Sequence, residues 1–283
     1  MMASMPILSG RARVAGIAGW PVEHSRSPLI HGFWLRRHGI DGAYVPLPIR
    51  STEFDRAMRG LIAAGFAGAN VTIPHKRAAF ALCDSVDDIA GRIGAVNTLL
   101  FRGGVIEGTN SDGFGFLETL REHNVNAETG PALLLGAGGA ARAIAGVLLA
   151  KGVAVAVCNR SKERAEALHQ DLPALHVVPW SSRSDALRDH ALLVNTTSLG
   201  MAGHAPFDLS LDRAGDSLVI ADVVYVPLET PLLKAGRARG LRTVDGLGML
   251  LHQARPGFAS WFGIDPVVDD ELRRFVMADL AAR

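Results

Sequence analysis

The sequence predicts an α/β fold in two domains, and three observations predict it. An apolar run, Leu133-Leu134-Leu135, feeds a glycine-rich turn, a helix of small residues and a second apolar run, Val153 to Cys158. Strand-like runs alternate with helix-period stretches on both sides of that unit, the pattern of mostly parallel sheets covered by helices. Beyond Gly246 the chain is helical in pattern and carries no further strand, so this tail must pack on something already built. Residues 1–113 are expected to form the first domain, completed by 246–283, and residues 114–245 the second.

At 283 residues the chain is long enough for two domains. A hydrophobic share of 48%, a charged share of 20% and a net charge of +1 describe a globular protein with no footprint for nucleic acid. Two cysteines, Cys83 and Cys158, make no disulfide framework and fit a reduced, cytoplasmic setting. The ten histidines are scattered without zinc spacing, so no metal is expected. Met1 to Gly10 lacks a long apolar stretch and reads as a frayed end rather than a signal peptide. No run reaches membrane-span length, so no membrane partner is expected.

In order, Val14 to Ala18 reads as a strand. Ser27-Pro28 opens a helix, because Ser caps and Pro suits the first helical position. That helix carries Ile30, Phe33 and Trp34 on one side and stops by Gly39. Tyr44 to Pro48 is a second strand. Ser51-Thr52 opens a helix with Phe54, Met58, Leu61 and Ile62 at helical spacing, closed by Gly65. Ala67 to Ile73 is a third strand, followed by one helix to about Arg92. Ala95–Phe101 and Val105–Gly108 form a hairpin across Arg102-Gly103-Gly104. Gly113 to Asn124 is helical, with the domain join at about 112–114. Strands at Leu175–Val178, Leu192–Asn195, Leu218–Val223 and Leu241–Val244 continue the second sheet. Helices Met249 to Phe262 and Asp269 to Ala281 close the chain and return to the first domain.

The unit around Gly136-Ala137-Gly138-Gly139-Ala140-Ala141 has the layout of a dinucleotide-binding βαβ motif, so the second domain is expected to be Rossmann-like. Gly136 permits the tight turn, Gly138 lets pyrophosphate approach the backbone, and Ala141 occupies the close-packing position. The helix N-terminus faces the phosphates. At the end of the second strand stand Asn159-Arg160-Ser161, with Arg164 one turn on, and no carboxylate to meet a ribose 2′-OH. Two guanidiniums and a hydroxyl suit a 2′-phosphate, so the expected cofactor is NADP. The plainer reading of Ser161 is a helix cap.

Eight motifs in this order resemble the shikimate dehydrogenase family over essentially the whole chain. They are His24-Ser25-Arg26-Ser27-Pro28, Asn70-Val71-Thr72-Ile73-Pro74-His75-Lys76, Gly94-Ala95-Val96-Asn97-Thr98, Asn110-Ser111-Asp112-Gly113, Gly136 to Arg142, Asn195 to Met201, Asp222-Val223-Val224-Tyr225, and Gly246 to Gln253. The resemblance implies an NADP-binding domain beside a substrate domain, with the active site in the cleft between them. It implies reversible reduction of 3-dehydroshikimate to shikimate by NADPH, in aromatic amino acid biosynthesis, by a monomer or homodimer. Ser25 and Ser27 would hold the substrate carboxylate, with a cap role for Ser27 compatible and no such plain role evident for Ser25. Asn70, Thr72, Asn97, Asp112 and Gln253 would bind its other polar groups. Tyr225 would sit by the substrate, and Gly246 and Met249 by the nicotinamide. Lys76 and Asp112 would be the proton-transfer pair. By spacing alone Lys76 reads as a surface lysine on a first helical turn and Asp112 as a helix cap. The histidines at 24, 75 and 252 read as packing or polar rim.

Two departures from the family pattern stand out. Ser111 replaces a common Thr and keeps the hydroxyl. Ala18-Gly19-Trp20 places a bulky ring beside the substrate loop. The rival readings are a quinate or aminoshikimate dehydrogenase paralogue and, outside enzymes, an NADP-binding regulator on the same fold. Retention of both Lys76 and Asp112 argues against the second.

Overall fold

A computed structural model describes residues 7–205 and 207–282. The chain forms two compact units. One runs up to Ser111 and resumes at Gln253; the other is Asp112–His252. Of the Met1–Gly10 stretch, residues 1–6 lie outside the described residues.

The first unit opens with β1 (Arg13–Gly19), α1 (Ser27–Arg37), β2 (Gly42–Pro48), α2 (Phe54–Ala63) and β3 (Gly68–Val71). The expected single helix up to Arg92 is broken into α3 (Lys76–Leu82), a short β4 (Ser85–Val86) and α4 (Asp88–Ile93). Two aspartates cause the break. Asp84 exchanges bonds with Ile106, donating to its carbonyl (2.9 Å) and accepting its N–H at Oδ2 (2.7 Å). Asp87 caps α4 by accepting the Ala90 N–H. The hairpin is β5 (Thr98–Arg102) and β6 (Val105–Thr109), so Ala95–Asn97 stay irregular.

The six strands lie in the order β2-β1-β3-β5-β6-β4. The β2-β1-β3 core is parallel, and β5 is antiparallel to both of its neighbours. Because β2 and β3 flank β1, the topological switch point lies between β1 and β3, at their carboxyl ends.

The second unit contains α5 (Asp112–Glu122), β7 (Ala132–Leu135), α6 (Gly139–Ala150), β8 (Val155–Cys158), α7 (Lys162–Asp171), β9 (His176–Val178), β10 (Leu192–Asn195), β11 (Val219–Asp222), α8 (Pro231–Ala238), β12 (Arg242–Val244) and α9 (Leu247–His252). Its sheet is parallel throughout, in the order β12-β11-β10-β7-β8-β9. That is the order of a doubly wound dinucleotide-binding sheet, with the switch point between β7 and β10. β7 is apolar on both faces, as a central parallel strand must be. Leu134 joins the layer under α6, and Leu133 and Leu135 join the opposite layer with Leu232 and Leu233 of α8.

The expected helix from Met249 to Phe262 is two helices, α9 and α10 (Arg255–Phe262). Pro256, which cannot donate to a preceding turn, opens α10. The change of unit therefore falls at Gln253, not Gly246: α9 packs on α5 within the second unit, and α10 begins the return. In the first unit α10 lies on β1, β3 and β5, and Trp261 donates from Nε1 to Leu99 O. The last helix, α11 (Asp270–Ala281), lies along α1. Among the described residues no helix is long and apolar enough to cross a membrane, and no cluster of His, Cys, Asp or Glu suits a metal. Both cysteines are free.

Candidate active site

At the carboxyl end of β3 the first unit assembles a buried polar network. Asn70 donates its two amide hydrogens to Asn97 O (3.2 Å) and Thr98 Oγ1 (3.0 Å) and accepts the Tyr44 hydroxyl at Oδ1 (2.6 Å). Its donors are thus spent inside the protein. Asn97 Oδ1 accepts from Ser111 N (2.9 Å), Ser111 Oγ (3.2 Å) and Thr98 Oγ1 (2.9 Å). The Val96 N–H donates to Lys76 O (3.0 Å), which seats Lys76, half-buried and first in α3, beside the Asn97 turn. Asp112 is the first residue of α5, directly after the Ser111 that Asn97 anchors, and it is buried. Thr72, half-buried, follows β3 and donates its N–H to Ala18 O.

Ser27 is the first helical residue of α1 rather than its cap, and its hydroxyl is bonded to Tyr44. Ser25 does have a plain structural role: its Oγ accepts the Ser27 N–H (3.2 Å). Gln253 is half-buried where the chain re-enters this unit.

Sequence reasoning missed Tyr44 and His31. The Tyr44 phenol is buried, and desolvation raises its pKa well above the usual range. His31 stacks on it at 3.9 Å and 2° and is walled by Trp34, Phe258 and Trp261. Burial pushes the His31 pKa down to about 3, opposed by Asn70. The available signal was composition: one of only two tyrosines, on a strand, needs a hydrogen-bond partner when buried. His75 is buried, stacks on Phe54 and contacts Ile49 O at 2.7 Å; His252 meets Glu122 at 3.3 Å; His24 is exposed. None is aimed at chemistry. Trp20 is 42% exposed, under the Arg50 guanidinium.

In the second unit Gly136 leaves β7 at φ +112°, and a Cβ there would stand 2.5 Å from Thr196 Oγ1. Gly138 is the opposite case. A Cβ on it meets nothing within 4 Å, so open space lies at the N-terminus of α6, where the first N–H groups lack helical acceptors. Gly138 and Gly139 are exposed, Ala137 and Ala140 half-buried, and Ala141 is fully buried. This is a cradle that a pyrophosphate fits.

Arg160 and Arg164 are exposed, and no ion pair is recorded for either among the described residues. Asn159 donates to Ser161 O (2.8 Å). Ser161 caps α7 and donates to Glu163 Oε2 (2.7 Å). The expectation of no carboxylate at this strand end is therefore corrected, because helix geometry brings Glu163 back onto the cap. That bond lowers the Glu163 pKa.

Asp222 ties the remaining motifs together. It accepts from Asn195 Nδ2 (2.9 Å), Val224 N (3.0 Å) and Thr230 Oγ1 (2.7 Å). Burial nevertheless pushes its pKa up to about 6. Tyr225 and Met249 are half-buried, and Gly246 is pressed against the Val223–Val224 backbone, where a Cβ would overlap.

Comparison with known proteins places this geometry. Residues 17–99 match the model of the shikimate dehydrogenase substrate-binding domain, and residues 119–201 that of shikimate/quinate 5-dehydrogenase. The chain is 65% identical, over 97% of its length and 99% of the relative's, to shikimate dehydrogenase (NADP(+)) of Acidiphilium cryptum. It resembles the crystal structure of shikimate 5-dehydrogenase from Thermus thermophilus in complex with NADP(H) and shikimate. There the TM-score is 0.83 and the identity 37%, over 93% of this chain and 99% of that one. Quinate dehydrogenase from Corynebacterium glutamicum in complex with NAD gives a TM-score of 0.87 at 30% identity, over 94% and 99%. With both domain models matched in order and a relative this similar along its full length, the chain belongs to the shikimate dehydrogenase family.

Proposed function

We propose that the chain interconverts 3-dehydroshikimate and shikimate with NADP(H), and that Lys76 and Asp112 carry the proton. The observation that carries this reading is the seating of Lys76 at the start of α3, its carbonyl bonded to Val96 beside the Asn97 network. The cofactor supplies hydride to the ring carbonyl carbon when bound. Gly136, Ala137, Gly138, Gly139 and Ala140 would hold its pyrophosphate, Asn159, Arg160, Ser161 and Arg164 its 2′-phosphate, and Gly246 and Met249 would lie by its nicotinamide. Ser161 reaches the phosphate once Glu163 releases its hydroxyl.

Ser25 holds the substrate carboxylate by its O–H at the N-terminus of α1, where the helix favours an anion, and Ser27 does so once its O–H turns from Tyr44. That fixes the ring, so the reacting atoms meet without a search. Asn70, Thr72, Asn97, Tyr225 and Gln253 bind the other polar groups. Lys76 donates a proton from Nζ to the carbonyl oxygen as hydride arrives at carbon, and takes it back in the reverse direction. Lysine suits this step because, unlike arginine, it releases a proton when its surroundings require it. Asp112 is the partner that orients the ammonium in this reading.

The test is an assay of the purified chain for NADP⁺ and NAD⁺ reduction with shikimate and with quinate, with Lys76→Ala beside the wild type. Shikimate with NADP⁺ is the expected preferred pair. Lys76→Ala should lower kcat by roughly 10²–10⁴-fold while the KM for shikimate changes far less. Near wild-type kcat with a raised KM would make Lys76 a binding residue instead.

A further inference from the structure

The loop that carries Ser25 and Ser27 is held from outside. Arg26, between the two serines, is 9% exposed. Its Nη1 donates to His24 O (3.1 Å), and its Nε lies 2.7 Å from Asp279 Oδ2, near the end of α11. Asp279, Glu23, Ser25 and Arg26 line one surface depression. The other end of α11 grips the other end of α1: Arg37 pairs with Asp269 (2.8 Å) and Glu271 (2.6 Å). Between the two ends Phe275 packs on Phe33, and Leu272 and Val276 are fully buried.

Arg26 is costly where it stands. It occupies the N-cap position of α1 without capping it, and a cation there opposes the helix dipole. A partly buried guanidinium also needs a counter-charge. Asp279 meets that need, and in doing so fixes the backbone on either side of Arg26.

We propose that Arg26 and Asp279 are a positioning pair, by which the C-terminal helix holds Ser25 and Ser27 in the arrangement that receives the substrate carboxylate. The pair touches neither substrate nor cofactor. The proposal rests on the carboxylate reading of the two serines and adds to it the residues that enforce it.

The test is steady-state kinetics of the full chain with Asp279→Asn, Asp279→Glu and Ser27→Ala. Asp279→Asn keeps the shape and removes the charge, while the Arg37 pairs still anchor α11. It should raise the KM for shikimate roughly tenfold, with kcat and the KM for NADP⁺ within about twofold. Asp279→Glu, which keeps the charge, should recover most of the loss. If Asp279→Asn leaves the shikimate KM unchanged while Ser27→Ala raises it, the carboxylate reading stands and the clamp is refuted. A lowered shikimate KM in Asp279→Asn would show that freed Arg26 binds the carboxylate itself, which also overturns the proposal. Equal rises in both KM values, unrecovered by Asp279→Glu, would reduce the pair to general stability. If Ser27→Ala leaves the shikimate KM unchanged, it is the carboxylate reading that fails.

Discussion

The two sheets use the same device at their switch points and then diverge. In each, a glycine ends or follows the first strand and a threonine follows the strand across the switch point. Thr72 N donates to Ala18 O at 2.9 Å, and Thr196 N donates to Leu135 O at 2.8 Å. Each threonine side chain fills the space a Cβ on the facing glycine would need, at Gly19 and at Gly136. Beyond that point the first sheet presents side chains: Tyr44, Asn70, Asn97, Thr98 and Ser111 form a hydrogen-bond network. The second sheet presents backbone, the Gly138 opening and the N-terminus of α6. The difference follows from what each is proposed to hold. A small ring with several hydroxyls is told from its analogues only by fixed side-chain partners. Pyrophosphate is common to all dinucleotides, and backbone donors suffice for it.

The largest expected effects break the likeness between the two glycines. Gly136→Ala combines overlap with Thr196 and a φ of +112° that side chains rarely adopt. It should cost about 4 kcal/mol and abolish NADP(H) binding. Thr196→Ala should not rescue it, because the backbone strain remains and the Thr196 bond to Leu135 O is lost. Gly19→Ala meets chiefly the Thr72 methyl, with no forbidden φ. It should cost about 2 kcal/mol, largely recovered by Thr72→Ser, which deletes that methyl and keeps the hydroxyl. Urea unfolding of the four variants checks this. Equal rescue at both sites would show that the two switch points are alike after all.

A second contrast is in pH. Burial shifts His31 in the first unit and Asp222 in the second, and the signs are opposite. The His31 pKa lies near 3 in the folded chain against 6.5 outside it, so the unfolded chain binds the extra proton between those values. Its contribution is complete above pH 6.5 and is lost as pH falls toward 3. The Asp222 pKa lies near 6 against 3.8, so here the folded chain binds the extra proton. Stability at Asp222 falls as pH rises from 3.8 through 6 and is level above that. The ceilings are on the order of 5 kcal/mol for His31 and on the order of 3 kcal/mol for Asp222. In Tm against pH, His31→Phe should flatten the acid loss, and Asp222→Asn should steepen it by removing the opposing slope. Asparagine can still accept from Val224 N, and the Thr230 hydroxyl can turn to accept from its amide. Identical pH profiles for both variants would erase the contrast.

What was legible in the sequence follows the same division. The second sheet is written in local signals. Apolar runs, a glycine turn and a small-residue helix follow in order; the strands at 155–158 and 192–195 fall within the stretches they mark, and 132–135 starts one residue before its run. The first site depends on partners distant in sequence, which periodicity does not report. Tyr44 meets Asn70 across 26 residues, and Arg26 meets Asp279 across almost the whole chain. Short interruptions were also invisible. Asp84 and Asp87 break a helix through bonds to β6 and to the next turn, while Pro256 opens α10 inside a stretch that the sequence reads as one helix. Glu163 lies five residues past the end of β8, beyond Asn159-Arg160-Ser161, yet the start of α7 folds it back onto Ser161.

That last contact sets the smallest and most specific prediction, about how the second unit chooses its nucleotide. Backbone donors at Gly138 and Gly139 treat NADP⁺ and NAD⁺ alike, so the choice falls to side chains past β8. Arg160 and Arg164 are exposed there, and Glu163 holds the Ser161 hydroxyl between them in sequence. Arginine meets a phosphate with paired donors, and losing one charge-assisted contact costs about 1.5–3 kcal/mol. Arg160→Ala should therefore raise the KM for NADP⁺ by roughly 10–150-fold and leave the weaker use of NAD⁺ nearly unchanged. Glu163→Gln should act the other way, lowering the KM for NADP⁺ by a few-fold, because it removes a negative charge beside the 2′-phosphate and loosens the hold on Ser161. The two substitutions should leave the shikimate KM alone, since every residue proposed to hold the carboxylate lies in the first unit. Equal losses with both nucleotides in Arg160→Ala would show that this arginine does not read the 2′-phosphate. The distinction between a backbone-read and a side-chain-read half of the cofactor would then fail.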